Sequence, residues 1–303
     1  MSSSAYTQAP AHGHRHTHTA VFLHGRGSNA VEFASELFES EASAGMDSQQ
    51  DGQRTLPALF PTVRWVFPTA PILRSRRFDT DMSQWFDMWS VKDPEEHSEI
   101  QHDGLGQSIQ RLLGIIKTEE QLVPRSRIFL CGISQGFATV LSTLLAEGQG
   151  GFAGLIGLCS WIPFARNVEQ GIAARDSLRG HVQQVISLYS ALQDLYYTAE
   201  GNGRVKAEPI PSQIQAIPVF LGHALDDTVV PVENARRLQK VLSELGLSVS
   251  WREYDHGGHW VNEPQGVDDI VCFLSYYMNN QSLAERGQDG PTFNKRFASL
   301  QLL

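Results

Sequence analysis

Apolar residues along this chain fall into two alternating patterns. Short runs, most of them near-continuous, occupy Thr19–His24, Arg64–Pro68, Arg127–Ile133, Gly154–Ser160, Pro218–His223 and Ser248–Tyr254, as expected of strands covered on both faces. Between them the apolar positions recur at helical spacing. Leu105, Ile109, Leu112, Leu113 and Ile116 form one stripe, and Phe137, Val140, Leu141, Leu144 and Leu145 a second. Val232, Ala235, Leu238 and Leu242, then Ile270, Val271, Leu274, Tyr277 and Met278, repeat the pattern, each stripe reading as a core-packing face. Strands alternating with helices predict an α/β fold, a mostly parallel central sheet with helices on both faces. Sites in such sheets lie beyond the carboxyl ends of the strands, so the loops that follow the strands are where chemistry is sought.

Three stretches break the rhythm. Residues 1–18 are polar and Ser/His/Ala-rich and are expected to form a disordered arm. Their alternating His14, His16 and His18 read as a solvated tract, because no carboxylate or thiol nearby could complete a metal site. Ser40–Thr55 reads as a surface loop. Phe164–Ala216, with Tyr189, Tyr196 and Tyr197, is long for a connection between two core strands and is expected to be an insertion or a lid. The expected organisation is one domain over 19–280, with 164–216 inserted in it and a C-terminal tail over 281–303.

The chain has 303 residues, 41% of them hydrophobic and 19% charged, enough to bury a sizeable core. A net charge of −9 argues against a nucleic-acid partner, which would require a basic face. Cys131, Cys159 and Cys272 are too few and too widely spaced for a disulfide framework or a thiolate metal site, and they fit a reducing compartment. No signal-peptide pattern opens the sequence, and no apolar run approaches the roughly 20 residues that span a bilayer. A cytoplasmic protein without stable membrane insertion is therefore expected.

The chemistry starts at Gly132-Ile133-Ser134-Gln135-Gly136, which closes an apolar strand and opens a helical stripe. This is G-x-S-x-G in the strand–turn–helix setting of a nucleophile elbow, where flanking glycines let a serine stand on a strained turn above the sheet. A serine hydroxyl needs a base to take its proton. Acidic residues follow the strand Pro218–His223, at Asp226 and Asp227, and histidines follow Ser248–Tyr254, at His256 and His259. The order Ser, acid, His suits this architecture, but spacing leaves two candidates for each partner, and Asp226 could instead cap a helix. Two donors for an oxyanion are available: the N–H of Gln135, at a helix N-terminus, and that of Arg26, in the Gly-containing turn Leu23-His24-Gly25-Arg26-Gly27-Ser28.

Together these pieces resemble the acyl-protein thioesterase and carboxylesterase group of α/β-hydrolases. The matching blocks are Phe22–Gly27, Thr69-Ala70-Pro71, Met82–Asp87, Gly132–Gly136, Ser160–Pro163, His223–Pro231 and Tyr254–His259, in family order. The resemblance implies Ser134 as nucleophile and Asp227 as acid, four residues after His223. It implies His259 as base, five after Tyr254, and the backbone N–H groups of Arg26 and Gln135 as the oxyanion hole. Trp85 is implied as the aromatic wall of the acyl site. The chain departs from the family at Phe137, where Gly or Ala is usual, and at Arg26, where Leu is usual. It departs again at Ala224-Leu225-Asp226 and in the length of 164–216.

The implied activity is hydrolysis of carboxylic esters or thioesters, small or carried on an acylated protein, through an acyl-enzyme, with neither metal nor organic cofactor. The rivals are a lysophospholipase acting on lipid esters and a non-catalytic relative that uses the same cavity as a receptor pocket. Arg74, Arg76 and Arg77 read as a solvated basic loop rather than as an anion site.

Overall fold

The apolar runs do become strands, and the computed structural model describes residues 5–44, 53–177, 182–196 and 207–284. In chain order the strands are β1 (Ala5–Gln8), β2 (His18–Leu23), β3 (Val63–Pro68), β4 (Ile72–Ser75), β5 (Thr80–Ser83), β6 (Ile128–Ile133), β7 (Gly154–Leu158), β8 (Pro218–Ala224) and β9 (Ser248–Tyr254). The helices are α1 (Ala30–Glu39), α2 (Leu56–Leu59), α3 (His102–Glu119), α4 (Gln135–Glu147), α5 (Ala165–Ser177), α6 (Val182–Tyr196), α7 (Pro211–Gln215), α8 (Val232–Glu244) and α9 (Gln265–Ala284). Seven strands form one sheet in the order β1-β3-β2-β6-β7-β8-β9, parallel except for β1, while β4 and β5 make a separate hairpin. No described helix is long and apolar enough to cross a membrane.

Alternate strand residues feed two cores, as period-two geometry requires. Val21, Leu23, Leu130, Leu155 and Val219 pack with α3, α4 and α8. Ala20, Phe22, Phe129, Ile156 and Phe220 pack with α1 and α9 on the opposite face. The chain leaves β2 toward β3 on one side and leaves β6 toward β7 on the other. The strand order therefore reverses between β2 and β6, and a crevice opens beyond their carboxyl ends.

The N-terminal arm is a correction to the sequence reading. Ala5–Gln8 is an edge strand running antiparallel to β3, with Ala5 opposite Pro68 and Gln8 opposite Trp65. An edge strand needs one partner only, so backbone pairing orders a segment whose side chains would not, and Tyr6 adds a ring contact to Phe67 at 6.1 Å. The histidine tract is not wholly solvated either. His18 opens β2, is buried and lies 6.1 Å from the Phe129 ring, and His16 Nε2 hydrogen-bonds the Thr19 hydroxyl at 3.0 Å.

The segment 164–216 builds an outer helical layer. Leu188, Tyr189, Leu192 and Tyr196 of α6 are buried in the α4 core, with Tyr189 Oη donating to Leu245 O and Tyr196 Oη to Pro163 O. Sandwiched between sheet and α6, helix α4 is buried almost throughout; Thr139, Ser142 and Thr143 return their hydroxyls to carbonyls four residues back at 2.8–2.9 Å. Tyr197, residues 45–52 of the loop 40–55 and the tail from 285 lie outside the described residues.

Phe137 on α4 is matched by Gly157 on β7. A Cβ at Gly157 would overlap the Phe137 ring. Overpacking of this kind costs about 1–3 kcal/mol. Gly157→Ala is therefore expected to lower the unfolding free energy by about 2 kcal/mol in the wild-type background and to be nearly neutral alongside Phe137→Ala. A double-mutant cycle in denaturant tests this; equal costs in both backgrounds would dissolve the pairing.

Candidate active site

Strand β6 ends in a turn that only small residues permit. A Cβ on Gly132 would lie 2.5 Å from the Phe137 nitrogen. One on Gly136 would overlap the Leu23 carbonyl oxygen and sit 2.6 Å from that of His24. With both absent, α4 begins directly against the end of β2, and Ser134 is forced to φ 56°, ψ −127°, a region that non-glycine residues seldom occupy. Its backbone is clamped there. Ser134 N–H donates to Leu158 O at 2.8 Å, and Ser134 O accepts from the Ser160 hydroxyl at 2.7 Å and from Phe137 N–H.

The turn after β2 approaches from the other side of the crevice. His24 is fully buried; its Nε2 accepts from Ala70 N–H at 3.1 Å, so its Nδ1–H donates to Gly25 O at 2.7 Å. Burial, offset in part by that carbonyl, holds its pKa below the ordinary histidine value. Gly25 lies beside Ser134, where a Cβ would touch the serine Cβ at 3.5 Å. Among the described residues the N–H groups of Arg26 and of Gln135, the first residue of α4, have no hydrogen-bond partner. The Arg26 guanidinium is engaged elsewhere, donating to the Ser75 hydroxyl at 2.9 Å and standing 3.7 Å from Asp87.

The acid and the imidazole come from the loops after β8 and β9. His259 Nδ1 lies 2.8 Å from Asp227 Oδ2. The other Asp227 oxygen accepts the N–H groups of Val229 and Val230 at 2.8 and 2.9 Å. Burial would push this carboxyl up, but hydrogen bonds from His223, His259 and Val230 outweigh it and hold the pKa well below the usual carboxylate range. Of the two aspartates and two histidines that spacing offers, Asp227 and His259 are the pair in hydrogen-bond contact. Asp226 accepts Gly258 N–H at 2.8 Å and pins the histidine loop, while the side chain of His256 is 88% exposed. Asp226 does not cap α8, whose N-cap is Pro231.

Ser134 and His259 line one cavity of about 350 Å³. Phe33, Phe78, Val91, Val229 and Trp260 supply its apolar wall, and Arg26, Ser28 and Glu36 its polar part. None of the described residues of 164–216 lines it. Trp85 is absent from the wall as well, a second correction. It is fully buried beneath the loop, with its indole N–H donating to His24 O at 2.8 Å. Gln135 explains why: its side chain accepts from Trp85 N–H at 2.9 Å and donates to Phe86 O at 2.7 Å, tying the Trp-Phe-Asp block to the start of α4. The basic residues of the β4–β5 region are occupied too, Arg74 with Asp79 and Asp81, and Arg77 with Trp89 O.

A serine on a strained strand–helix turn, a histidine–carboxylate pair after the last two strands and a mostly parallel sheet define an α/β-hydrolase. Residues 5–188 match the phospholipase/carboxylesterase family, and the chain belongs to it. It is 31% identical over 269 residues to acyl-protein thioesterase 1 of Yarrowia lipolytica, covering 88% of this chain and 92% of that one. To acyl-protein thioesterase 1 of Gibberella zeae it is 24% identical over 266 residues, covering 86% and 90%. The crystal structure of Zea mays acyl-protein thioesterase 2 shares the fold, with a TM-score of 0.61 at 21% identity over 90% of this chain and 98% of that one. The protein is an ester-cleaving serine hydrolase.

The low pKa of Asp227 has a consequence for stability. Its ionised form contributes fully above the unfolded value of 3.8, and the contribution is lost as pH falls through the lower folded value. Urea midpoints should accordingly show a stability gap between wild type and Asp227→Asn that is wide at about pH 5 and narrows below about pH 3.8. A gap independent of pH would contradict the carboxylate's role as a stabilised charge.

Proposed function

We propose that Ser134, His259 and Asp227 form the catalytic triad of a carboxylesterase and acyl-protein thioesterase. Its substrate is an acyl chain joined through a thioester or an oxygen ester to a protein or a small alcohol. One observation carries the reading: the serine on the positive-φ turn and the carboxylate-bound histidine open into the same apolar-walled cavity.

His259, whose Nδ1–H donates to Asp227, presents Nε2 as the base for the Ser134 hydroxyl. The alkoxide attacks the acyl carbonyl, and the tetrahedral anion takes the N–H groups of Arg26 and Gln135, each worth on the order of 3 kcal/mol in the transition state. His259 protonates the leaving thiolate or alkoxide, then activates the water that releases the acid and regenerates Ser134. The acyl chain lies against Phe33, Val91, Val229 and Trp260, an assignment supported by their position around Ser134. Three unpaired cysteines support a reducing, cytoplasmic setting. The names of the relatives support the thioester and acylated-protein substrate. Nothing in the cavity favours a non-catalytic receptor role.

A fluorophosphonate probe should label wild type one-to-one, with no labelling of Ser134→Ala. His259→Ala should lower kcat by about 10⁴-fold or more. Undiminished labelling of Ser134→Ala would remove Ser134 from the reaction. A series of acyl thioesters lengthening from two to eight carbons should gain up to about fourfold in kcat/KM per methylene while the chain still meets apolar wall. A flat series would remove the cavity as the acyl site.

A further inference from the structure

The catalytic reading leaves one fully buried titratable side chain beside the site unused. His223 lies on β8 four residues before Asp227, and neither side chain is exposed. Its Nε2 is 2.9 Å from Val230 O and 3.2 Å from Asp227 Oδ2. Both neighbours are acceptors, so Nε2 carries a hydrogen shared between them. Nδ1 is buried and has no partner among the described residues, so a proton there would have no acceptor. The geometry selects the Nε2–H tautomer.

That hydrogen closes a small ring. Val230 donates its N–H to Asp227 Oδ1 and receives the His223 N–H at its own carbonyl, while His223 reaches Oδ2. The carboxylate is thus held by two backbone donors on Oδ1 and by two imidazoles on Oδ2. One other donor faces the carboxylate, the Cys159 thiol, which also hydrogen-bonds Asp227. Cys159, after β7, turns its thiol to Trp260 O at 3.4 Å, and burial and the neighbouring Asp227 push that thiol's pKa far up. Asp226 is bound to Gly258 N–H, and Glu253, the register partner of His223 on β9, is bound to Arg236.

We propose that His223 is a positioning residue for the hydrolytic reaction, its Nε2–H fixing the Asp227 carboxylate and sharing the negative charge that His259 leans on. This rests on the reading of Asp227 and His259 as acid and base. By dividing Oδ2 between two imidazoles, His223 leaves less of the charge to retain a proton on His259 and prevents the carboxylate from turning away from it. Without that donor, Val230 O is also left buried and unpaired.

Three variants assayed across pH on one acyl ester, with melting midpoints as a control for folding, test the proposal. His223→Leu should move the acidic limb of the kcat/KM profile up by about one pH unit. It should also lower the plateau kcat about tenfold with KM within about twofold. His223→Gln, whose amide nitrogen reaches the Nε2 position, should return the limb to the wild-type position. An unmoved limb in His223→Leu overturns the proposal, whatever its stability. A fully active Asp227→Asn would remove the acid itself, and this inference with it, whereas an inactive one beside an unmoved His223→Leu limb sinks the inference alone. Imidazole ¹⁵N NMR of the unmodified protein gives a readout that needs no substitution at His223. A protonated Nε2, shifting when a phosphonate on Ser134 charges His259, is the expected result, and an Nδ1–H tautomer at His223 overturns it.

Discussion

The site depends on how closely two strand ends and one helix can approach. Helix α4 starts in the space that Cβ atoms at Gly132 and Gly136 would fill, against the carbonyl oxygens of Leu23 and His24. Because the helix is seated this deeply, Ser134 has no relaxed conformation available and its side chain is carried at the crest of the turn. The strain is sustained by what surrounds it: a hydrogen bond from Ser134 N–H to β7 and one from the Ser160 hydroxyl to Ser134 O, and an α4 sealed between the sheet and α6. The same close approach sets Gly25 beside Ser134.

Electrostatics complete what packing begins. An ionised carboxylate removed from water is costly unless its oxygens are filled with donors. Asp227 meets that condition with two backbone N–H groups and two imidazoles, so the charge persists in the interior and orients His259. Its neighbour Asp226 acts on the same loop from the solvent side, through Gly258. Two consecutive aspartates have thus divided the work between charge and loop geometry.

The bulky Phe137, the helices of 164–216 and the long side chain of Arg26 are each accommodated locally. Phe137 takes the volume left by Gly157, and helix α6 lays a further helical layer over α4. Arg26, which lines the cavity, places its guanidinium against Ser75 and Asp87. Neighbouring groups make room for Phe137 and pair with Arg26.

What was legible in the amino-acid order was whatever has a local cause. Apolar runs gave six of the seven strands of the main sheet to within a residue or two, five of them near-continuous because burial on both faces leaves no polar alternation, while the edge strand β9 is partly exposed. Glycines on either side of Ser134 marked the strained turn, because only their absent side chains make it possible. Edge strand Ala5–Gln8 was not legible, since a single backbone partner orders it and its own residues carry no strong strand pattern. Nor could spacing choose between Asp226 and Asp227 or between His256 and His259; the family resemblance named the pair, and its geometry depends on which side chains the β8 and β9 loops turn inward. The family resemblance implied Trp85 as a cavity wall, yet Gln135 and His24 draw it beneath the loop. Contacts between residues dozens of positions apart decide such placements, and no local pattern encodes them.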